Sequence, residues 1–519
     1  MKFHWKVLLW MLAGVLAGLG MQSGLAAPPT TGASWGPAGA GVAITKVPSH
    51  ASKHFDPVDV LTAVILDRGR PDRERRIQLT DPEQLEAVRV VDGERVHSGI
   101  VSEAEVGDLL WFVRSDGAIL PLALEMDPAS PRARWIAPFD FLADIFMALL
   151  KMLIVPLVMS SIISGVAGVG SPRDLGRLGG KTFAYYITTS LLAIFLGQLL
   201  VNVIQPGSGA ALGLSPLEAG GIAPDESFLD VFKRMIPTNV VMAMGAGEML
   251  QMIFFSLLFG FFITVAPEPH GEHMRRFFEG VFQVMLKMAE AILKLLPYAV
   301  FALIVRVVAK TGFAVFEPLL LYMFTVVAAL VLHSVVTLPL LLRFVGRLSP
   351  RRWFQAVSPA LMTAFSTSSS SMTLPVTLEA VEKRGKVSNK VTSFTLPLGA
   401  TINMDGTALY ECIGVIFLAQ YYQATGDFEL TLAKQAMVVL MALMASIGAA
   451  GIPSAGLIMM LTILAALGLP LEGAALLLAV DRPLDMLRTV VNVWSDSCGA
   501  AVIARSEGEQ GPLTAGADT

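Results

Sequence analysis

Long uncharged apolar segments follow one another along most of this chain, and they constrain its fold more than any other feature. Of its 519 residues, 54% are apolar and 15% are Asp, Glu, Lys or Arg, whereas charged residues make up about 25% of a typical soluble domain. A helix of about 20 apolar residues is long enough to cross a bilayer. The sequence therefore predicts an all-α membrane protein with many spans, and it excludes a soluble enzyme as the main interpretation.

Charge is concentrated near the N-terminus. Residues 28–138 carry 12 basic and 16 acidic side chains and open with a linker rich in Pro, Gly and Ser. Short aliphatic segments with turn formers between them predict a small β-rich or α+β domain there. We find no ligand motif in this insertion, and a packing or assembly module is its simplest interpretation.

The first segment, Val7–Ala27, has no charged residue. Its length fits a first membrane helix, which we favour, although its small residues near Ala27 also fit a cleaved signal peptide. Arginines that follow the second, fourth and sixth apolar segments fall in alternate loops, as expected of cytoplasmic loops in a cell (inner) membrane. The predicted domains are a first helix at 1–27, an extracytoplasmic insertion at 28–138, helices two to six at 139–349, a binding core at 350–505 and a cytoplasmic tail at 506–519.

Composition also limits the partners. The net charge of −4 lacks the excess of basic residues that is typical of a nucleic-acid-binding protein. The two cysteines, Cys412 and Cys498, both lie in late apolar segments, so neither a disulfide framework nor a zinc motif is expected. No nucleophile–base pair accompanies the buried acids, and we expect neither an enzyme nor a cofactor.

The last third of the chain contains two apolar stretches that are interrupted midway. The stretch 350–382 is broken by the serine-rich residues 366–371, and the stretch 431–469 is broken by the glycine-rich residues 448–453. Each is followed by one long apolar segment. Interrupted segments at corresponding positions of two halves indicate a transporter with its binding site near the midplane of the membrane.

Polar residues recur on one face of the last helix. Asp481, Asp485, Arg488, Asn492 and Asp496 form a single stripe at helical spacing. A charge at the depth of the bilayer costs roughly 2.5–3.5 kcal/mol even on lenient scales. The stripe must therefore face an internal cavity.

The preceding long segment carries Asn403, Asp405 and Gly406, which favour a break in the helix, and then Glu411. With Asp481, Asp485 and Asp496 of the last helix, the buried carboxylates number five, and Arg488 is the one buried base expected nearby. So many acids need protons, metal cations or a cationic ligand. A guanidinium beside a carboxylate suits a ligand that has both an ammonium and a carboxylate group.

Four motifs resemble the dicarboxylate/amino acid:cation symporter family, which includes the excitatory amino acid transporters. They are SSSSMTLP at 368–375, NMDGTALY at 403–410, AAGIPSAG at 449–456 and DRPLDMLRTVVN at 481–492. The resemblance covers residues 1–27 and 139–505, and it implies eight transmembrane helices, two re-entrant hairpins with inverted repeats, a homotrimer and elevator-type alternating access. The insertion departs from the short loop of such relatives.

The resemblance also implies a substrate site. Asp485 would hold the substrate ammonium, and Arg488 would hold the side-chain carboxylate with help from Thr407. Asp481 would support Arg488. The remaining substrate contacts implied by the family are Ser370, Ile452, Gly456, Thr489 and Asn492.

Three sodium sites are implied in the same way. The first would use Asp496 with Gly399, Asn403 and Asn492. The second would use Thr401, Met404, Ser446, Ile447 and Ala449. The third would use Asp405 and Asn403 with Tyr186, Thr189 and Ser190.

Three positions narrow the expected function to symport of L-aspartate or L-glutamate with sodium, protons or both. Arg488 indicates an acidic substrate and Asp485 an amino acid. Glu411 is the candidate proton carrier, because an apolar site favours the neutral form of a carboxyl. The alternatives are a C4-dicarboxylate or neutral amino acid symporter of the same family, or a transporter-like sensor that uses the insertion.

Overall fold

The structure is a computed structural model. It describes residues 3–39, 41–48, 55–66, 74–91, 94–104, 109–167, 175–210, 212, 236–246, 248–424, 428–448 and 455–510.

Most of the described chain is helical, and several helices are long and apolar enough to cross a membrane. They are Pro131–Ala167, Arg177–Ile204, Phe316–Phe344 and Asn389–Ala424, and a pair, His270–Ile292 and Leu296–Lys310, meets at a bend of 55°. This confirms the prediction of a helical protein with several membrane-length apolar helices. The count of eight spans with two hairpins stays a prediction.

The helices are numbered here in chain order. α1 is Phe3–Gly24, α2 Pro82–Leu85, α3 Pro131–Ala167, α4 Gly180–Ile204, α5 Val240–Ala246, α6 Met249–Val265, α7 His270–Leu293, α8 Leu296–Thr311, α9 Phe316–Leu332, α10 Leu338–Phe344, α11 Pro350–Thr367, α12 Ser370–Glu379, α13 Asn389–Ile402, α14 Asp405–Ala424, α15 Leu432–Gly448, α16 Ala455–Ala466 and α17 Glu472–Ser506.

Between α1 and α3, the described residues contain ten strands. One antiparallel sheet has the order β2-β3-β4-β8-β9, with β5 also paired to β4, while β1 pairs with β10 and β6 pairs with β7. The strands are β1 Pro29–Thr30, β2 Ser34–Ala38, β3 Gly41–Lys46, β4 Val60–Leu66, β5 Arg75–Gln78, β6 Ala87–Val91, β7 Glu94–Ser98, β8 Leu109–Arg114, β9 Ile119–Ala123 and β10 Glu125–Met126.

The insertion has its own core, and its two ends lie side by side. Val42, Val64 and Phe112 are fully buried in that core. Its first and last strands pair through Pro29 and Met126. The chain therefore leaves α1 and returns to α3 at one place, and α3 starts at Pro131, earlier than the predicted start at Phe139.

Helix α1 packs closely against α8. A Cβ atom added at Gly14 would lie 2.9 Å from the Phe301 carbonyl oxygen, and one added at Gly18 would lie 2.8 Å from Val308 Cβ. Small residues four apart let two membrane helices approach backbone to backbone. The Arg132 guanidinium also donates to carbonyl groups at the end of α1 and at the end of α8.

Both interrupted segments are broken close to the predicted positions. Helices α11 and α12 are separated by Ser368 and Ser369, and Ser368 has a left-handed φ of 51°. Helices α15 and α16 end and begin at Gly448 and Ala455. The tip between them, 449–454, lies outside the described residues.

We predict that Gly18→Val lowers the free energy of unfolding of the detergent-solubilised protein by roughly 1–3 kcal/mol, because the added atoms overlap Val308. The melting temperature of the variant falls accordingly. Gly20→Val on the same helix is the control, since a Cβ added at Gly20 meets no atom within 4 Å. Differential scanning fluorimetry of both variants checks this. Equal stability of the two variants would contradict the packing of α1 against α8.

Candidate substrate and ion site

The site forms where the start of α14 meets the middle of α17. The break at Asn403 and Met404 ends α13 and starts α14 with Asp405. A Cβ added at Gly406 would lie 2.7 Å from the Arg488 carbonyl oxygen, so only glycine allows this approach. The Gly406 amide donates to Asn492 Oδ1 at 2.8 Å. Asn492 thereby satisfies one of the free amides of the first turn of α14.

Arg488 is buried near the middle of α17 and contacts two acidic side chains and an aromatic ring. Its Nη2 atom donates to Asp481 Oδ1 at 2.8 Å and to Asp485 Oδ1 at 2.9 Å. Its guanidinium carbon lies 3.8 Å from the centre of the Tyr410 ring. The side chain is 1% exposed. Contacts on two sides therefore fix the guanidinium in place, as expected for residues three and seven apart on one helix.

The other two guanidinium nitrogens of Arg488 are not held by these aspartates. Among the described residues, Nε and Nη1 of Arg488 have no hydrogen-bond partner. A Cβ added at Gly456 would lie 2.6 Å from Nη1 and 2.9 Å from Thr407 Cγ2. Thr407 in turn accepts a hydrogen bond from Asn492 Nδ2 at 3.1 Å. Buried donors without partners are costly, and a carboxylate ligand would satisfy them.

Asp405 lies at the centre of a second polar cluster. Ser190 donates to its Oδ1 at 2.8 Å and Ser495 donates to its Oδ2 at 2.6 Å. His333 Nε2 lies 3.1 Å from the same Oδ2 atom. Thr189 donates to Asn403 Oδ1 at 3.3 Å. The structure thus brings side chains of α4, α14 and α17 together around Asp405, and the third sodium site stays a prediction.

Asp496 lies beside this cluster. Asn403 Nδ2 donates to Asp496 Oδ1 at 2.9 Å. A Cβ added at Gly399 would lie 2.4 Å from Asp496 Oδ1 and 2.8 Å from the Tyr186 hydroxyl, so a glycine keeps space there. Tyr186 itself donates to the Thr395 carbonyl at 2.8 Å. Asp496, Asn403 and Gly399 of the first predicted sodium site are therefore neighbours.

The second predicted sodium site is described only in part. Thr401 donates to the Leu398 carbonyl at 3.0 Å and Ser446 to the Leu443 carbonyl at 2.8 Å, each within its own helix. Met404 is buried. The Ile447 side chain, Ala449 and the substrate contact Ile452 lie outside the described residues.

Two further predicted substrate residues are buried near helix ends or turns. Ser370 starts α12, where Ser369 caps the helix through the Met372 amide. Thr489 is buried and donates to the Asp485 carbonyl at 2.8 Å. Neither side chain has a described contact with Arg488, so their roles stay predictions.

The expectation that Arg488 is the one buried base nearby was wrong. Arg482 is also buried, and its Nη1 atom donates to Asp485 Oδ2 at 3.2 Å. His333 is fully buried against Asp405. The spacing of Arg482 and Asp485 at i and i+3 could have revealed the first pair. No local pattern relates His333 or Ser495 to Asp405, since the three lie on different helices.

Glu411 lies one helical turn beyond Thr407, and it is fully buried. Among the described residues, neither of its carboxyl oxygens has a hydrogen-bond partner. A bare ionised carboxylate in such a place is costly, and a bound proton removes the charge.

The arrangement suits alkali cations better than a resident transition metal. Beside the His333 imidazole, the groups near Asp405 and Asp496 include the hydroxyls of Ser190 and Ser495 and the amide of Asn403, and hydroxyl and amide oxygens are ligands that hard cations prefer. The described residues contain no cluster of three or more His, Cys, Asp or Glu side chains of metal-binding geometry. The site could therefore hold small cations beside an anionic ligand.

Comparison with known proteins agrees with this chemistry. Residues 120–506 match the family model of the sodium:dicarboxylate symporter family. The chain is 36% identical over 373 residues to the proton/glutamate-aspartate symporter of Escherichia coli (strain K12), covering 70% of this chain and 84% of that protein. It is 34% identical over 421 residues to excitatory amino acid transporter 3 of Oryctolagus cuniculus, covering 71% and 79%. It is 32% identical over 428 residues to a proton/sodium-glutamate symport protein of Bacillus subtilis (strain 168), covering 81% and 96%.

We predict that Ser190→Ala and Ser495→Ala each raise the sodium concentration needed for half-maximal aspartate uptake by roughly tenfold, because each removes a hydrogen bond to a charged group worth about 1.5 kcal/mol. The control is Thr188→Ala, whose hydroxyl is exposed and bonds only within α4 in the described contacts. Uptake measured against sodium concentration checks this. Unchanged sodium dependence in both serine variants would contradict a cation site at Asp405.

Proposed function

The chain belongs to the sodium:dicarboxylate symporter family, and we propose that it takes up an acidic amino acid, L-aspartate or L-glutamate, together with sodium ions, protons or both. The names of its relatives support this class of substrate. The observation that carries the proposal is the Arg488 guanidinium. Its Nη2 atom is held by Asp481 and Asp485, and its Nε and Nη1 atoms have no hydrogen-bond partner in the part of the chain that the structure describes.

These guanidinium nitrogens explain how such a substrate would bind. The side-chain carboxylate of the substrate accepts a hydrogen bond from Nη1 of Arg488, the guanidinium nitrogen that lies beside Gly456, with Thr407 next to it. The substrate ammonium lies against Asp485, three residues earlier on α17. A substrate without the distal carboxylate leaves the buried donors unsatisfied, which selects for acidic amino acids.

Coupling to cations follows from the buried acids. Asp405 and Asp496 lie within one polar cluster and share Asn403 between them. His333 and two serines around Asp405 do not remove the net negative charge of the pair when the histidine is neutral. Sodium ions supply the missing positive charge, and Glu411 supplies a place for a proton.

One unit of the protein carries the substrate across the membrane. It consists of α4, α9, α10, α13, α14, α17 and both interrupted segments. At the cytoplasmic end, Lys181 and Arg177 both pair with Glu507 at 2.6 Å. These hydrogen bonds lower the pKa of the Glu507 carboxyl. The charged contact joins the ends of α4 and α17, so that the two helices move together.

The finer architecture belongs to this proposal. Eight transmembrane helices and two re-entrant hairpins with inverted repeats form each subunit of a homotrimer in the cell (inner) membrane. Residues 1–27 form the first helix, 28–138 lie outside the cytoplasm and 506–519 lie inside it. The segment near Ile452 is the outer gate. The tight packing of α1 on α8 supports a membrane helix rather than a signal peptide.

We predict that Arg488→Ala reduces aspartate uptake by more than roughly 100-fold, because it removes the carboxylate clamp and leaves Asp481 and Asp485 buried without it. Arg488→Lys does not restore uptake, since an ammonium lacks the planar fork. Uptake of labelled L-aspartate into proteoliposomes, with protein amount matched by gel filtration, measures both variants. Aspartate transport retained in Arg488→Ala would refute the substrate assignment.

We predict that Glu411→Gln abolishes the response of uptake to an inward proton gradient while sodium-driven uptake remains, because glutamine keeps the shape of the side chain but binds no proton. Glu290→Gln, at an exposed pair with Lys287, is the control. The measurement is uptake at fixed sodium with and without the proton gradient. A proton response unchanged in Glu411→Gln would exclude Glu411 as the carrier.

A further inference from the structure

Asp485 is already occupied by two arginines. Its Oδ1 atom accepts a hydrogen bond from Arg488 Nη2 at 2.9 Å, and its Oδ2 atom accepts one from Arg482 Nη1 at 3.2 Å. The proposed function places the substrate ammonium at this same carboxylate. A third cation at this carboxylate would be repelled by both guanidinium groups, so an ammonium binds there more favourably when one of them leaves.

The two arginines are not equally able to leave. Arg488 is 1% exposed, also donates to Asp481 and lies over the Tyr410 ring. The Arg482 side chain is 10% exposed, and its bond to Asp485 is the longer of the two. Its one described hydrogen bond is to Asp485, so it can move away with the loss of that bond.

Arg482 balances the charge of the two buried aspartates while it stays beside Asp485. Asp481 and Asp485 carry two negative charges, and Arg482 and Arg488 carry two positive charges within 3.2 Å of them. Removing one member of a buried pair leaves the partner uncompensated, which is strongly unfavourable. A substrate ammonium restores the balance when it replaces Arg482.

We propose that Arg482 is the resident cation of the empty substrate site: it neutralises Asp485 when no ammonium is present and gives up that position to the substrate. This inference rests on the proposed function, because it takes Asp485 as the ammonium site. Substrate binding is then an exchange of one cation for another at a fixed carboxylate. Arg482 acts through Asp485, as a positioning residue that sets specificity.

One consequence concerns ligands that lack an ammonium group. A C4-dicarboxylate such as succinate can satisfy the free donors of Arg488 but brings no cation for Asp485. With Arg482 in place, Asp485 stays neutralised and succinate binds, although more weakly than aspartate. Without Arg482, succinate leaves Asp481 and Asp485 to share the charge of Arg488, whereas aspartate supplies its own ammonium.

The test compares the two ligands in one assay. Displacement of labelled L-aspartate from purified full-length protein at saturating sodium gives the dissociation constants of unlabelled L-aspartate and succinate. We expect Arg482→Gln to raise the ratio of the succinate constant to the aspartate constant at least tenfold. Arg482→Lys, which keeps the charge, stays within threefold of the unmodified protein. Arg505→Gln, the same change at the far end of α17, leaves the ratio unchanged.

Other outcomes overturn the proposal. One is an unchanged ratio of the succinate constant to the aspartate constant in Arg482→Gln. The other is that millimolar succinate fails to displace labelled L-aspartate from the unmodified protein. Arg482→Met is a second neutral variant in case the first is unstable. Both neutral variants could also be monodisperse by gel filtration and yet bind no aspartate. Arg482 would then be required even when the substrate supplies an ammonium, which contradicts an exchange of one cation for the other. An unmodified protein that binds no aspartate would instead refute the proposed function itself.

Discussion

The hydrogen-bonded ion pairs between Arg488 and its two aspartates are the interaction on which the rest of the structure depends. A guanidinium fully inside a membrane protein is tolerated only where acidic or other polar groups meet it. The residues around Arg488 let those groups approach it. Gly406 lets α14 approach the backbone of Arg488, Gly456 leaves room beside Nη1, and Tyr410 covers the remaining face. The same packing leaves Nε and Nη1 of Arg488 without a hydrogen-bond partner among the described residues, and buried donors of this kind favour an acidic ligand.

The break between α13 and α14 has a second role, because it creates the cation cluster next to the substrate position. Asn403 at the break bonds to Asp496, and Asp405 starts the next helix with Ser190 and Ser495 against its carboxylate. The proposed substrate position and the polar cluster around Asp405 thus lie on the same two helices, α14 and α17. Asn492 of α17 holds the first turn of α14 through Gly406 and Thr407.

Helical spacing predicted the polar stripe of α17 and the composition at Asn403 predicted the helix break, because both are local patterns. Both interrupted segments were also visible in the sequence. The sequence could not reveal that His333 lies against Asp405, since 72 positions separate them and helix packing alone brings them together. Arg482 was overlooked for a different reason: its Cα lies off the stripe, and its long side chain reaches back to Asp485. The tip that carries Ile452 lies outside the described residues, so its role as a gate stays a prediction.

The central claim is that buried carboxylates make uptake of an acidic amino acid depend on cations. The most direct test is uptake of labelled L-aspartate into proteoliposomes under an inward sodium gradient alone, an inward proton gradient alone, or neither. We predict concentrative uptake under at least one gradient and none without a gradient. Dependence on sodium would assign the coupling to Asp405 and Asp496, and dependence on protons alone would assign it to Glu411. Equal uptake in all three conditions would contradict the account.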